Sequence, residues 1–217
     1  MDLIENTIAF VKKNLGGADG GHDWYHIERV WKTARYIREK EGTGDLLVIE
    51  LGALLHDISD PKFNGGDEKK GSRIAYRFLR DQGLEPQKAD HIRDIIQHVS
   101  YKGGMVQDLI RTIEFQIVQD ADRLDAIGAI GIARAFNYGG FKNRPIHIPG
   151  KALQEYSDPE AYHRSDAPTI NHFYEKLLKL KDLMNTATGK KLAEERHAYM
   201  LGFLKQFNRE WDPGSSA

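Results

Sequence analysis

Three short stretches of this chain set metal-binding and proton-carrying side chains beside apolar helix stripes. The first is Leu51-Gly52-Ala53-Leu54-Leu55-His56-Asp57, an apolar run that ends in an imidazole and a carboxylate. Neither group is comfortable among aliphatic side chains without a partner, and one divalent cation satisfies both. Donors of this type suit Mn, Fe, Co, Ni or Zn. The second stretch holds His22, His26 and Arg29, whose spacing of four and three stacks them on one face of a helix. His26 is the better placed ligand, because His22 falls just before the first full turn. The third is Gln119-Asp120-Ala121-Asp122-Arg123-Leu124-Asp125, with three acids within six residues between apolar runs.

His26, His56-Asp57 and Asp122 lie on three separate predicted helices, so a bundle can gather them around one ion and leave two octahedral positions open. A water in an open position loses much of its proton affinity, and the same ion can polarise a phosphoryl oxygen. That is the equipment of a hydrolase. The spacing leaves a plainer alternative open, in which His56-Asp57 only closes a helix and Asp122 pairs with Arg123 or Arg29.

The elements that must position these groups are helical. Ile4, Ile8, Val11 and Leu15 give Asp2 to Leu15 one buried stripe, Asp2 with Glu5 forms a capping box, and Gly16-Gly17 ends the segment. Asp23 caps a second helix with Ile27, Val30, Trp31, Ala34 and Ile37 inward, ending before Gly42. Asp45 starts a third, Leu46 to about Ile58, apolar almost all round and therefore central. Residues 59–67 read as a loop, with Asp67 capping a helix through Ile74, Phe78 and Leu79. Pro86 opens a helix carrying Ile92, Ile95, Ile96 and Val99, with His91 and His98 on one side. Met105 to Phe136 is a long helical pattern broken near residues 119–125. Asn137 to Ala167 has no period, which suggests a lid carrying Tyr138, Phe141, Arg144 and His147, or a surface wrap or swapping arm that would make a homodimer. Helices over about Thr169 to Met184 and Leu192 to Trp211 close the chain.

Composition narrows the partners. At 217 residues without a splitting linker, residues 1–212 are expected to form one all-α domain, with 213–217 a disordered tail. Lys plus Arg is 31 against 32 for Asp plus Glu, so no basic field argues for a nucleic-acid polymer. The absence of cysteine removes disulfides, thiolate catalysis and Cys-type zinc sites. An acidic N-terminus and the lack of a membrane-length apolar run point to a soluble cytoplasmic protein with no membrane partner.

The strings His22-Asp23-Trp24-Tyr25-His26-Ile27-Glu28-Arg29-Val30, Leu54-Leu55-His56-Asp57-Ile58 and Gln119 to Ala126 resemble the HD-domain superfamily of metal-dependent phosphohydrolases, over about residues 20–210. They look most like a bacterial subgroup of nucleotide pyrophosphohydrolases. The resemblance implies an all-α HD-domain helical bundle with one divalent ion (Mn, Ni, Co, Fe or Mg) held by His26, His56, Asp57 and Asp122. Asp122 is chosen among the three acids because the superfamily's last ligand usually follows an Ala, here Ala121. Asp120 and Asp125 then become supporting groups. Asp60 sits where related nucleotidases often carry a Glu that orients or deprotonates the attacking water. Here it is one methylene shorter, and it also reads as a turn acid before Pro61. Arg29 and Lys62 are expected to meet phosphate, and His98, more than His91, to approach the site. The implied substrate is a small phosphorylated metabolite, foremost a nucleoside triphosphate cut to monophosphate and pyrophosphate. Phosphomonoester hydrolysis as in a 5'-nucleotidase, cyclic-nucleotide hydrolysis, and a non-enzymatic nucleotide sensor are the alternatives.

Overall fold

Leu46–Leu55 (α3) has one charged residue, Glu50, and a helix without a polar face is stable only inside a bundle. In the computed structural model, which describes residues 2–15, 23–58, 69–99, 111–154 and 166–214, α3 is indeed interior. Val48, Ile49, Leu51, Gly52, Ala53, Leu54 and Leu55 are all buried. Leu3–Asn14 (α1), Trp24–Glu41 (α2) and Pro86–His98 (α5) pack on it, and Lys70–Asp81 (α4) packs on α5. Each brings one stripe at helical spacing: Val11, then Ile27, Val30, Ala34 and Ile37, then Ala75 and Leu79, then Ala89, Ile92, Ile95 and Ile96. At about 1.5–3 kcal/mol for each large aliphatic side chain removed from water, this layer is the main force holding α3 in place.

Ile113–Asp125 (α6) runs parallel to α3. Gly44 lies against Ile113 and Glu114, Gly52 against Val118, and His56 against Asp122, so contacts advance together along both helices. The starting end is pinned by polar groups. Glu114 accepts the Asp45 N–H at 2.9 Å, Asp45 caps α3 through Leu47 N and Val48 N, and Lys88 of α5 meets Asp45 at 2.7 Å. The two helices are thereby set in register before they reach the residues that matter chemically.

Most expected helix ends are present. Glu5 accepts the Asp2 N–H, Asp23 caps α2, Gly42 ends α2 at φ 70°, and Pro86 is the first residue of α5. The third helix stops at Leu55, short of Ile58. Asp67 and the rest of 59–68 lie outside the described residues, and α4 begins at Lys70. The break expected near 119–125 is displaced: α6 is continuous to Asp125, and the turn comes at Ala126-Ile127-Gly128, where Gly128 takes φ 77°.

The chain condenses into two units, Met1–Asp122 and Arg123–Ala217. The second is built from Gly128–Phe141 (α7), Thr169–Glu175 (α8), a 3₁₀ helix over Leu177–Leu183 and Ala187–Trp211 (α9). The expected single helix from Thr169 to Met184 is therefore two elements, parted at Lys176, and the last helix begins before Leu192 because Thr186 caps it through the Gly189 N–H at 2.9 Å. Within this unit Phe136, Phe173, Phe203, Phe207 and Trp211 form a chain of ring contacts. Residues 137–141, expected to be aperiodic, belong to α7. Residues 142–154 are tied to α8, where Thr169 N–H donates to the Pro145 carbonyl, Ile170 N–H to Ile146, and Gln154 N–H to Glu175. His147 is edge-on to Trp211 at 4.8 Å. Residues 142–154 thus lie along α8, and 155–165 lie outside the described residues. Among the described residues there is no strand, and no helix is long and apolar enough to cross a membrane.

Candidate metal centre

All three helices that deliver the candidate ligands do so near an end. His26 stands in the first turn of α2, whose N-cap is Asp23, and His56 is the residue that closes α3. Asp122 comes from the last turn of α6. The parallel run of α3 and α6 brings His56 and Asp122 level, and the packing of α2 on α3 adds His26. His26 and His56 are buried, while the Asp122 side chain keeps 24% exposure, so the group has one open side.

The three donors are close enough to share an ion. His26 Nε2 and His56 Nε2 are 3.3 Å apart, and Asp122 Oδ1 lies 3.5 Å from the first and 3.7 Å from the second. The nearest point equidistant from three atoms so spaced is about 2.0 Å from each, the length of a bond from a transition metal to imidazole or carboxylate.

Tautomer chemistry points the same way. The last carbonyls of a helix have no partner within it, and His56 uses one of them: its Nδ1–H donates to the Ala53 carbonyl at 2.8 Å. That fixes the proton on Nδ1 and turns a lone pair on Nε2 toward His26 and Asp122. Burial pushes the His56 imidazole down, but the polar contact and charge of Asp122, the charge of Asp57 and the Ala53 carbonyl outweigh it and raise it to about 9. Burial likewise pushes the Asp122 carboxyl up, yet contact with His56 and the charges of His56 and His26 hold it below the usual carboxylate range. The pocket retains a proton where a cation is wanted, and its donors fit a divalent ion.

The other expected residues separate. Asp57 is not one of the three clustered donors, although its charge reaches both His56 and Asp122. Arg29 is on α2 one turn beyond His26, half-buried. Asp60, Lys62 and His22 lie outside the described residues. Asp125 pairs with Arg134 at 2.6 Å, and Asp120 is fully buried. Arg123 reaches the Leu183 carbonyl. His91 bonds Thr112 at 2.9 Å, and the His98 Nδ1–H donates to the Asp94 carbonyl at 2.8 Å, so neither joins the three donors. The contribution that sequence reading missed is the Ala53 carbonyl. Its only signal is a His placed three residues beyond it in a terminal turn.

A family model described as "HD domain" matches residues 23–127, which include every donor above. YpgQ of Bacillus subtilis, described as uncharacterized, is 39% identical over 208 residues, 95% of this chain and 92% of its own. The chain belongs to the HD-domain family. An HD-superfamily hydrolase from Bacillus thuringiensis has a solved structure 44% identical to this chain, with TM-score 0.75 over 96% of each. A crystal structure of YpgQ in complex with ADP matches with TM-score 0.74, 37% identity and coverage of 99% of this chain and 97% of that one. This HD-domain protein is thus a hydrolase of that superfamily.

Proposed function

We propose that this HD-domain protein is a metal-dependent phosphohydrolase that cleaves a nucleoside triphosphate to the monophosphate and pyrophosphate. The observation that carries the reading is the triangle of His26 Nε2, His56 Nε2 and Asp122 Oδ1, open on the Asp122 side. Asp57, adjoining His56, is the fourth ligand in this reading. A bound divalent ion would polarise a phosphoryl oxygen and make a water more acidic. The chain's own residues do the rest. The Ala53 carbonyl keeps His56 in one tautomer, Asp122 and Asp57 supply negative charge, and Arg29, one turn from His26, offers a guanidinium to a phosphate. Asp60 is assigned the proton from the attacking water, and Lys62 a second phosphate contact. The nucleotide part of the reading is supported by YpgQ, which has been crystallised with ADP.

The test is turnover of a panel of nucleoside mono-, di- and triphosphates and cyclic nucleotides by chelator-stripped and metal-reloaded protein, with products separated chromatographically. Pyrophosphate with a nucleoside monophosphate supports the proposal. Orthophosphate with free nucleoside would make it a phosphomonoesterase, and a linear monophosphate from a cyclic substrate a phosphodiesterase. Nucleotide binding without metal-dependent turnover would indicate a sensor.

A further inference from the structure

The side chain of Asp23 acts on the backbone of a candidate ligand itself. Its Oδ1 accepts the N–H of His26 at 2.9 Å, and its carbonyl shares that N–H at 3.1 Å and takes the N–H of Ile27 at 3.4 Å. His26 is the third residue of α2, within the turn whose N–H groups have no intrahelical acceptor and which frays first. A ligand there moves whenever the turn opens. His26 Nε2 must nevertheless keep within a few tenths of an ångström of its place opposite His56, 3.3 Å away, for three donors to share an ion. We infer that Asp23 is a positioning residue for the metal centre: by capping α2 at the His26 N–H, its carboxylate oxygen sets where the His26 imidazole stands. Asp23 is not among the three clustered donors, so it acts through His26.

The inference rests on His26 being a metal ligand, and its test separates the two claims. Co²⁺ affinity of chelator-stripped full-length protein is measured by calorimetry and by visible absorption for wild type, His26→Ala, Asp23→Ala and Asp23→Asn, each checked for helicity at the same temperature. Thermal midpoints are recorded without metal. Asp23→Ala is expected to weaken Co²⁺ binding about 10- to 100-fold, the usual effect of losing a group that orients a ligand. Asp23→Asn keeps an oxygen acceptor and should restore binding to within about threefold of wild type, because Asn and Asp cap comparably. A cap with only a structural role would lower the metal-free midpoint of Asp23→Ala and leave its Co²⁺ affinity at the wild-type value, which overturns the inference while His26→Ala still loses the ion. An Asn variant as weak as Ala would show that charge, not capping, is at work, and also overturns it. Wild type that binds no Co²⁺, or His26→Ala that binds it as wild type does, would bring down the metal site and the inference together.

Discussion

If the buried triangle holds a divalent ion, adding that ion should stabilise the fold by mass action, and removing any one donor should abolish the effect. The two Nε2 atoms and Asp122 Oδ1, separated by 3.3, 3.5 and 3.7 Å, exist as a set only when α2, α3 and α6 are assembled. The unfolded chain therefore offers the ion little. At a free concentration 100 times Kd the gain is about 2.7 kcal/mol, and at about 2–4 °C per kcal/mol for a chain of this length the melting temperature should rise by about 5–11 °C. The measurement is calorimetric melting of chelator-stripped protein with and without Mn²⁺, every sample at the same free concentration, 100 times the wild-type Kd. His56→Ala and Asp122→Ala should lose the shift entirely. Asp57→Ala should reduce it, since its charge reaches both donors and it is proposed as the fourth ligand. Lys32→Ala, at a side chain 65% exposed, should leave it whole. Each variant is compared with its own metal-free midpoint, because loss of His56 also alters the uncompensated carboxylates. A full shift in His56→Ala would place the ion elsewhere and refute the argument from donor spacing.

Turnover should respond to Asp60→Asn by a loss of about 10²–10⁴ with metal binding spared, if this acid takes the proton from water, and an unchanged rate would remove it from the mechanism. Gly139→Ala should destabilise the second unit by about 1–3 kcal/mol, read from urea titration. An added Cβ would fall 2.2 Å from Thr169 Oγ1, and Thr169→Ala should recover part of the loss. His172 is pushed down to about 3, first by burial and then by the cations of Lys176 and Arg144. Its unfolded value of 6.5 is higher, so the unfolded chain binds the proton that the fold refuses. The stability it supports is complete above pH 6.5 and falls as pH drops toward 3, by up to about 1.4 kcal/mol per unit. His172→Gln should flatten the loss between pH 7 and 5, and an equal loss in both proteins would contradict the assignment.

What could be read from residues alone followed from how local the cause was. Caps such as Asp23, Asp45 and Gly42 act within one turn, and the all-round apolarity of α3 leaves a helix only one place to go, so both were legible. Glycines were harder. Gly139 looks like a terminator beside Gly140, yet it lies inside α7 because the chain needs room there for Thr169. Gly128, beyond the break that the acids of 119–125 suggest, is the true one, at φ 77°. The acids of 119–125 suggested an interruption because charges cluster there, but a helix accepts them when they are spread over its faces. Asp122 joins the histidines, Asp125 meets Arg134, and Asp120 is buried.

The centre itself was legible as far as side chains define it. His26, His56 and Asp122 converge as their residue types suggested, whereas the feature that makes His56 a good donor does not depend on any side chain other than its own. Any residue at position 53 would offer the same carbonyl. What matters is that α3 ends at Leu55, which puts Ala53 among its last carbonyls and His56 within reach of it. Had the helix continued to Ile58, as its apolar pattern suggests, the Ala53 carbonyl would be shared between the residue 57 amide and the imidazole, and its hold on the ring would weaken. The place where the helix stops is therefore as much a part of the metal centre as the residue at its end. A substitution that extends α3 by one turn should weaken metal binding without touching a donor.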